Sequence, residues 1–261
     1  RAARRAIMAF ASNFGRILSP TFQPNSQAKV EGDWWLSGGI DPDDCVAAYQ
    51  PKGAASYAAS KVNLANPGTY DLTNGNDPSW SADNGWTFDG VNDHLYETTY
   101  EPTNTPFTVI VRLNNMKIDH SVSSAILGIR RPSNNSQSNF ALKFEQYDNT
   151  GKVGISSWGN PGDYYNPKDH VSNFASPTGQ DVIIAFTRSG TAIKYYVGTN
   201  TQTASATFVF DATYKGLVVG AYFAPNFQSD VPKGDLYALA YYHAALSDSQ
   251  ISAISDAMNE L

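Results

Sequence analysis

The segment WGNPGDYYNPKDH (158–170) combines aromatic rings with an amide and carboxylates, the side chains with which proteins bind sugars. Rings cover the apolar face of a pyranose, and amides and carboxylates form hydrogen bonds with its hydroxyls. The candidate ligand-binding residues are Trp158, Tyr164, Tyr165, Asn166 and Asp169. A second candidate segment, at 222–230, offers Tyr222, Phe223, Asn226 and Phe227. For both segments one alternative stays open: the rings pin long loops to the body or pack against a neighbouring subunit.

Catalytic patterns are missing from the sequence. Glycoside hydrolysis with retention needs two carboxylates about 5–5.5 Å apart, which a strand supplies from alternate residues. The nearest pair, Glu145 and Asp148, has an odd spacing that places its members on opposite faces of a strand. The four histidines, which are His94, His120, His170 and His243, show no metal-ligand spacing. We expect each to lie on a loop or on a strand surface, and for His243 a position in the core is an equal alternative. We therefore expect no catalytic residues and no enzymatic activity.

Two further groups could carry chemistry. The tract DGVND offers oxygen ligands for Ca²⁺ in Asp89, Asn92 and Asp93, but the same residues are also favourable in a tight turn. We predict a structural turn, no metal site and no cofactor, with Ca²⁺ as the alternative. Cys45 lies in the apolar run CVAAY without an accompanying base, which indicates a buried, inert thiol.

Composition and charge narrow the class of protein. Of 261 residues, 16 % are charged and 13 % aromatic, a balance that allows a sizeable core. One cysteine excludes an intrachain disulfide framework, and no run approaches the roughly 18 apolar residues of a membrane span. Five of the 18 basic residues fall within residues 1–29, which have no acidic residue; the remainder carries 13 basic against 24 acidic residues, a net charge of −11. Such a body is a poor nucleic-acid binder.

The chain changes its pattern near Cys45, where short runs rich in Val, Ile, Phe and Tyr begin, bounded by Gly, Pro, Asn and Asp. We predict strands near 45–50, 86–89, 94–97, 106–113, 124–130, 139–146, 152–157, 181–188, 192–198, 204–210, 216–221 and 235–243. The last of these we interpret as an edge strand. Ser247 and Gln250 then form a capping box before a helix that presents Ile251, Ile254 and Met258 on one face. The pattern predicts an all-β antiparallel sandwich with a short C-terminal helix.

Residues 1–39 form a different segment, a basic amphipathic arm and linker. Its apolar stripe and flanking arginines give the candidate docking residues Arg4, Arg5, Ile7, Phe10, Phe14 and Ile17. Asn13, Gly15 and Arg16 interrupt the apolar stretch, which argues against a signal peptide. Burial of the stripe on the chain's own sandwich is the alternative to docking on a partner.

Four stretches, in order, carry a resemblance to a known superfamily: WTFDGVNDHLYE (86–97), PFTVIVRL (106–113), DVIIAFTRSGTAIKYYVGT (181–199) and GDLYALAYYHAALSDSQISAI (234–254). They resemble the laminin G-like members of the concanavalin A-like lectin and glucanase superfamily. The resemblance implies a jelly-roll domain over residues 40–261. The opening stretch RRAIMAFASNFGRILSPTFQP and the KGAASYAASKVNLANPGTYD stretch also resemble phage virion-associated proteins.

These resemblances, with the docking arm, predict a non-enzymatic virion structural protein: a capsid decoration, head-fibre or tail-associated subunit whose sandwich faces outward. Its partner would be a capsid or tail protein of the same particle or a second copy of the chain, and a cell-surface glycan is a further candidate. We expect no nucleic acid on the sandwich and no membrane. The alternative is a glycan-binding, lectin-like module of a secreted or cell-surface protein.

Overall fold

The computed structural model describes residues 33–103, 106–117, 124–129, 140–145, 152–157, 168–175, 177–205, 215–221 and 232–261. Its strands are β1 Cys45–Tyr49, β2 Thr73–Asn76, β3 Ser79–Ser81, β4 Gly85–Asp89, β5 His94–Tyr96, β6 Phe107–Lys117, β7 Ser124–Ile129, β8 Phe140–Glu145, β9 Lys152–Ser157, β10 Lys168–Ala175, β11 Val182–Ser189, β12 Ala192–Val197, β13 Asn200–Ser205, β14 Leu217–Val219 and β15 Lys233–Tyr242. The α-helices are α1 Tyr57–Ser60 and α2 Asp248–Asn259, and short 3-10 turns span Trp34–Leu36 and Pro42–Asp44. Among these residues no helix is long and apolar enough to cross a membrane.

The strands form two antiparallel sheets. In the sheet that α2 covers, the order is β13-β12-β11-β6-β15-β4-β3, and β1 also pairs with β15. The opposite sheet has the order β10-β9-β8-β7-β14-β5-β2. This arrangement confirms the predicted fold class, an all-β sandwich with a C-terminal helix. The last strand is central and not an edge strand as predicted, because β6 pairs with one side of β15 while β4 and β1 share the other.

The inner core lies between the two sheets, and β6 explains how the sequence builds it. Phe107, Val109, Val111 and Leu113 alternate along this strand and are all buried in the inner core. The intervening residues face the other side of the sheet, where Ile110 joins a second core. Both faces of β6 are covered, so its outward-facing residues Thr108, Ile110 and Arg112 are buried as well.

The second core, here called the outer core, lies between the helix-covered sheet and α2. The predicted capping box is present at the start of α2: Ser247 accepts a hydrogen bond from the Gln250 amide, and the Gln250 side chain accepts one from the Ser247 amide. The predicted apolar face is buried through Ile251, Ile254 and Met258. The helix therefore seals the outer face of one sheet and does not cover an end of the sandwich.

Adjacent indoles complete the outer core. Trp34 and Trp35 are 4 % and 6 % exposed, their rings meet edge to face at 5.8 Å, and the Tyr242 hydroxyl donates to the Trp35 carbonyl. For this reason the compact unit of the chain starts at Asp33, and the boundary predicted between residues 39 and 40 falls inside it. Residues 1–32 lie outside the described residues, so the arm remains a prediction.

Strand prediction failed where strands are polar. The sequence pattern did not predict β13 at Asn200–Ser205, whose sequence NTQTAS has no apolar alternation, and most of the strand predicted at 204–210 lies outside the described residues. The sequence pattern also missed β2, β3 and β10, whose sequences TNGN, SWS and KDHVSNFA carry few branched or aromatic residues. Tertiary pairing, which single-sequence patterns do not report, places these segments in the sheets.

Replacing Trp34 tests the role of the indoles. Trp34→Ala should lower the free energy of unfolding by about 3–5 kcal/mol, because it removes a large buried ring from the outer core. The indole nitrogen of Trp34 has no hydrogen-bond partner among the described residues, so Trp34→Phe loses only volume and should cost clearly less. Urea unfolding followed by circular dichroism measures both, and a Trp34→Ala effect below about 1 kcal/mol would contradict the assignment of this ring to the core.

Candidate functional site

Most residues of the predicted sites lie outside the described part of the chain. This holds for the docking residues Arg4, Arg5, Ile7, Phe10, Phe14 and Ile17, for the loop residues Trp158, Tyr164, Tyr165 and Asn166, and for Tyr222, Phe223, Asn226 and Phe227. Asp169 lies in β10, where its backbone pairs with that of Ser156 in β9. Glu145 ends β8, and Asp148 is outside the described residues. The roles assigned to these residues stay predictions.

The DGVND tract forms a structural turn, as predicted. The Asp89 carboxylate accepts hydrogen bonds from the amides of Val91 and Asn92, and the Asp93 carboxylate accepts one from the Asp89 amide. Gly90 has φ +80°, a left-handed conformation that strains other residues. Within the described ranges, no three His, Cys, Asp or Glu side chains converge as metal ligands.

Burial raises the pKa of Asp93 from 3.8 to about 6, and the nearby charges of Asp89 and Asp77 act in the same direction, while the hydrogen bond from the Asp89 backbone opposes them. The turn therefore holds one carboxyl group that titrates well above its ordinary range. This is a property of the folded turn, since an unfolded chain leaves the carboxyl group in water.

One histidine of the described region is more buried than predicted, and another, for which core and surface were equal alternatives, is half-buried. His94 is 3 % exposed, against the expectation of a surface position, because a bulge in β2 brings the backbone of Gly75 over its ring. Its Nδ1 lies 2.9 Å from the Asn92 carbonyl. His243 is half-buried, its Nε2 lies 2.8 Å from the Tyr100 hydroxyl, and burial lowers its pKa. His170 falls in β10 and His120 lies outside the described residues.

Cys45 is buried, as the sequence predicts. Burial raises the pKa of its thiol to about 12, so the reactive thiolate is not populated at neutral pH. The thiol is therefore part of the outer core.

A groove of about 600 Å³ opens between α2 and the strands β11 to β13. Its base is formed by the most buried of its lining residues, Ile183, Tyr196 and Ile251. Its rim is polar and comes from both sides: the strand side contributes Asp181, Thr199 and Thr201, and the helix contributes Asp248, Ser252, Ser255, Asp256 and Asn259. The groove thus joins an apolar base to a rim of carboxylates, hydroxyls and an amide.

One end of the groove is fixed by Asp248 at the start of α2. Lys194 donates to both carboxylate oxygens of Asp248 at 2.7 Å, and the Tyr196 hydroxyl donates to one of them at 2.9 Å. These hydrogen bonds hold the pKa of Asp248 below its usual value, so the group is an anion at neutral pH. Asp248 also lies in the first turn of the helix, where the macrodipole favours negative charge.

The other end is fixed by Arg112 of β6, a guanidinium group that is almost fully buried. Arg112 donates from Nε and Nη2 to the two carboxylate oxygens of Asp181, at 3.0 and 2.5 Å. From Nη1 it donates to the carbonyl of Met258 at 2.5 Å, and it lies over the Tyr237 ring at 5.2 Å. One side chain thereby ties the strand side of the groove to the C-terminal end of the helix.

Sequence reasoning missed this groove, although one signal points to it. Asp248, Ser252 and Asp256 recur every four residues, and Asn259 follows three residues later, so the polar residues share one face of α2 beside the buried stripe. The strand residues gave no signal, because pairing of β11, β12 and β13 brings them together across turns that the sequence does not distinguish from others.

No family model matches the chain, and no curated protein sequence matches it. Several solved structures are similar to this chain. One is a mutant of Trypanosoma rangeli sialidase displaying trans-sialidase activity, with a TM-score of 0.58 and 14 % sequence identity; the match covers 84 % of this chain and 34 % of the sialidase. Trypanosoma rangeli sialidase in complex with sialic acid gives the same TM-score and identity over 82 % and 33 %. The chain spans about a third of the length of these sialidases. A Ruminococcus gnavus IT-sialidase CBM40 bound to α2,3-sialyllactose has a TM-score of 0.47 and 13 % identity, over 59 % of this chain and 82 % of that one.

These comparisons support the fold, an antiparallel β-sandwich, and correct one prediction. We predicted a chain without enzymatic activity; the similar structures contradict this, because the first of them are sialidases, which are enzymes. That prediction is not retained. At 14 % identity the similarity establishes the fold and transfers no residue role. The sialidase structures named above are not described as parts of a phage particle.

Arg112 provides a test of how the groove is held. Arg112→Ala should lower the free energy of unfolding by about 2–4 kcal/mol, because Asp181 and the last turn of α2 lose a buried charged donor. Arg112→Lys keeps the charge without the planar fork, and we expect a smaller loss. Denaturant unfolding measures both. Equal stabilities of wild type and Arg112→Ala would show that these hydrogen bonds do not hold the helix.

Asp93 generates a prediction of pH dependence. The folded state binds its proton more tightly than the unfolded chain, so the stability that Asp93 contributes is present below pH 4 and is lost as the pH rises towards 6. Asp93→Asn stays neutral and can still accept the Asp89 amide, so its stability relative to wild type should increase between pH 4 and pH 7. Asp83→Asn, in an exposed turn, controls for net charge. A wild-type to Asp93→Asn difference that is the same at both pH values would refute the prediction.

Proposed function

We propose that this chain is a carbohydrate-binding β-sandwich module and that the groove beside α2 is its binding site. The observation that supports this most is the composition of the groove, an apolar base under a rim of carboxylates, hydroxyls and an amide. Its volume of about 600 Å³ lies within the range of ligand pockets and suits an oligosaccharide of a few residues.

The chemistry of a sugar matches this lining. A pyranose presents hydroxyls around its edge and C–H groups on its faces. Carboxylates accept pairs of hydroxyls, and hydrogen bonds to an ionised acceptor are stronger than those between neutral groups. The base formed by Ile183 and Ile251 can contact the C–H faces. An apolar ligand without hydroxyls would cover the carboxylate of Asp256 at the rim, which has no hydrogen-bond partner among the described residues, and leaving that group desolvated and unpaired is costly.

The fold is compatible with this proposal, since the sialidases that share it are proteins of carbohydrate chemistry. That likeness is an analogy at the level of the fold, and the groove residues of this chain carry the argument. The virion role, the docking of the arm on a capsid or tail protein and the outward-facing sandwich remain predictions from the opening residues. The same holds for a location on a virion or, alternatively, outside the cell.

Filling the groove tests the proposal. Thr201→Trp places an indole at the rim and should weaken glycan binding at least about tenfold, because a bulky ring occupies space that the ligand needs. Thr203→Trp is the matched control, since Thr203 is an exposed threonine of the same strand that does not line the groove. Binding of the full chain to a panel of immobilised glycans, followed by titration calorimetry of those bound, measures the effect. Equal loss in both variants, or binding that survives in Thr201→Trp, would place the site elsewhere.

A further inference from the structure

We infer that the groove beside α2 takes neutral or amino-bearing glycans and discriminates against acidic sugars, an inference that rests on the proposed function. It concerns the charges that a ligand would meet. The residues that line the groove include three carboxylates, Asp181, Asp248 and Asp256, and among the described lining residues there is no lysine, arginine or histidine.

The two cations that contact groove residues, Arg112 and Lys194, already donate hydrogen bonds to protein acceptors. Arg112 is buried and directs its guanidinium to Asp181 and to the carbonyl of Met258. Lys194 donates to both oxygens of Asp248. Either cation would have to break these hydrogen bonds to reach an anionic group of a ligand. The carboxylates of Asp181 and Asp248 line the groove, whereas Arg112 and Lys194 are not among its lining residues.

Asp256 adds a charge that is not compensated. It is exposed on α2 at the rim of the groove and has no hydrogen bond or ion pair among the described residues. Two donors of the lining are already used: the Tyr196 hydroxyl donates to Asp248, and the Ser255 hydroxyl donates to the Ile251 carbonyl at 2.8 Å. The hydroxyls of Thr199, Thr201 and Ser252 and the amide of Asn259 can both donate and accept, whereas the charged groups of the described rim are all acceptors.

The charge of a sugar should therefore determine how well it binds in the groove. Neutral hexoses supply hydroxyl donors, and a protonated amino sugar supplies a charged donor, which carboxylates bind more strongly. A sialic acid or uronic acid carboxylate would enter beside the carboxylates of the rim, and the described lining residues include no cation to pair with it. At physiological ionic strength the screening length is about 8 Å, so a ligand inside the groove feels the rim charges.

A matched ligand panel tests this inference on the full chain. The neutral probes are lactose, cellotriose and chitotriose; the acidic probes are α2,3-sialyllactose and digalacturonate; the cationic probe is the glucosamine trimer. Ligand-observed NMR and calorimetry give the affinities. We expect lactose to bind about fivefold or more tightly than sialyllactose, and the glucosamine trimer to bind at least as much more tightly than chitotriose, at low salt. Both ratios should shrink in 0.5 M NaCl.

Two variants test whether these affinity ratios arise in the groove. Asp256→Asn should reduce both preferences by about half or more, because it removes the uncompensated charge, whereas Asp83→Asn changes net charge equally and should leave them unchanged. If neutral and acidic sugars bind equally, or the preference survives in Asp256→Asn, the inference is wrong while glycan binding stands. If no probe binds, the proposed function and the inference both fail.

Discussion

The buried guanidinium of Arg112 is the interaction on which the outer layer of this molecule depends. It is placed at the centre of the helix-covered sheet by β6, in an outward-facing position between apolar neighbours. A lone charge at such a position would be strongly unfavourable, so it requires partners from elements that are distant in sequence. Asp181 and the Met258 carbonyl supply them, and in doing so they bring the start of β11 and the end of α2 to one point. The geometry of the groove follows from this convergence.

The outer core explains why a charge can be used in this way. Its apolar contacts, chiefly those of the two indoles and the buried face of α2, hold the helix on the sheet. Apolar contacts have little directionality, so they do not fix the position of the helix along its axis or its rotation about that axis. Hydrogen bonds at both ends of α2 do specify this. Lys194 and Tyr196 hold Asp248 at the first turn, and Arg112 holds the last turn. Apolar burial provides most of the stability, and the charged contacts fix the position.

How much the sequence predicts depends on whether a signal is local. The strand runs and the capping box at Ser247 and Gln250 are local patterns, and the sandwich with its C-terminal helix follows from them. The burial of Trp34 and Trp35 and the central position of β15 depend on long-range pairing, and neither was predicted. The groove residues are polar and are separated by many residues along the chain, so a search for aromatic clusters passed over them. Of the segments favoured by that search, only residues 168–170 lie within the described part of the chain.

The proposed site also shows why a shared fold is a weak guide to ligand choice here. A sandwich supplies two sheets and their cores, and these are what a similarity at 14 % identity reports. The groove depends on something more particular, an acidic helix without a single basic residue laid beside a polar edge strand. Changing a few charges on α2 would leave both cores intact and would reverse the field in the groove. Proteins of this architecture can therefore differ in ligand preference while they keep the same fold.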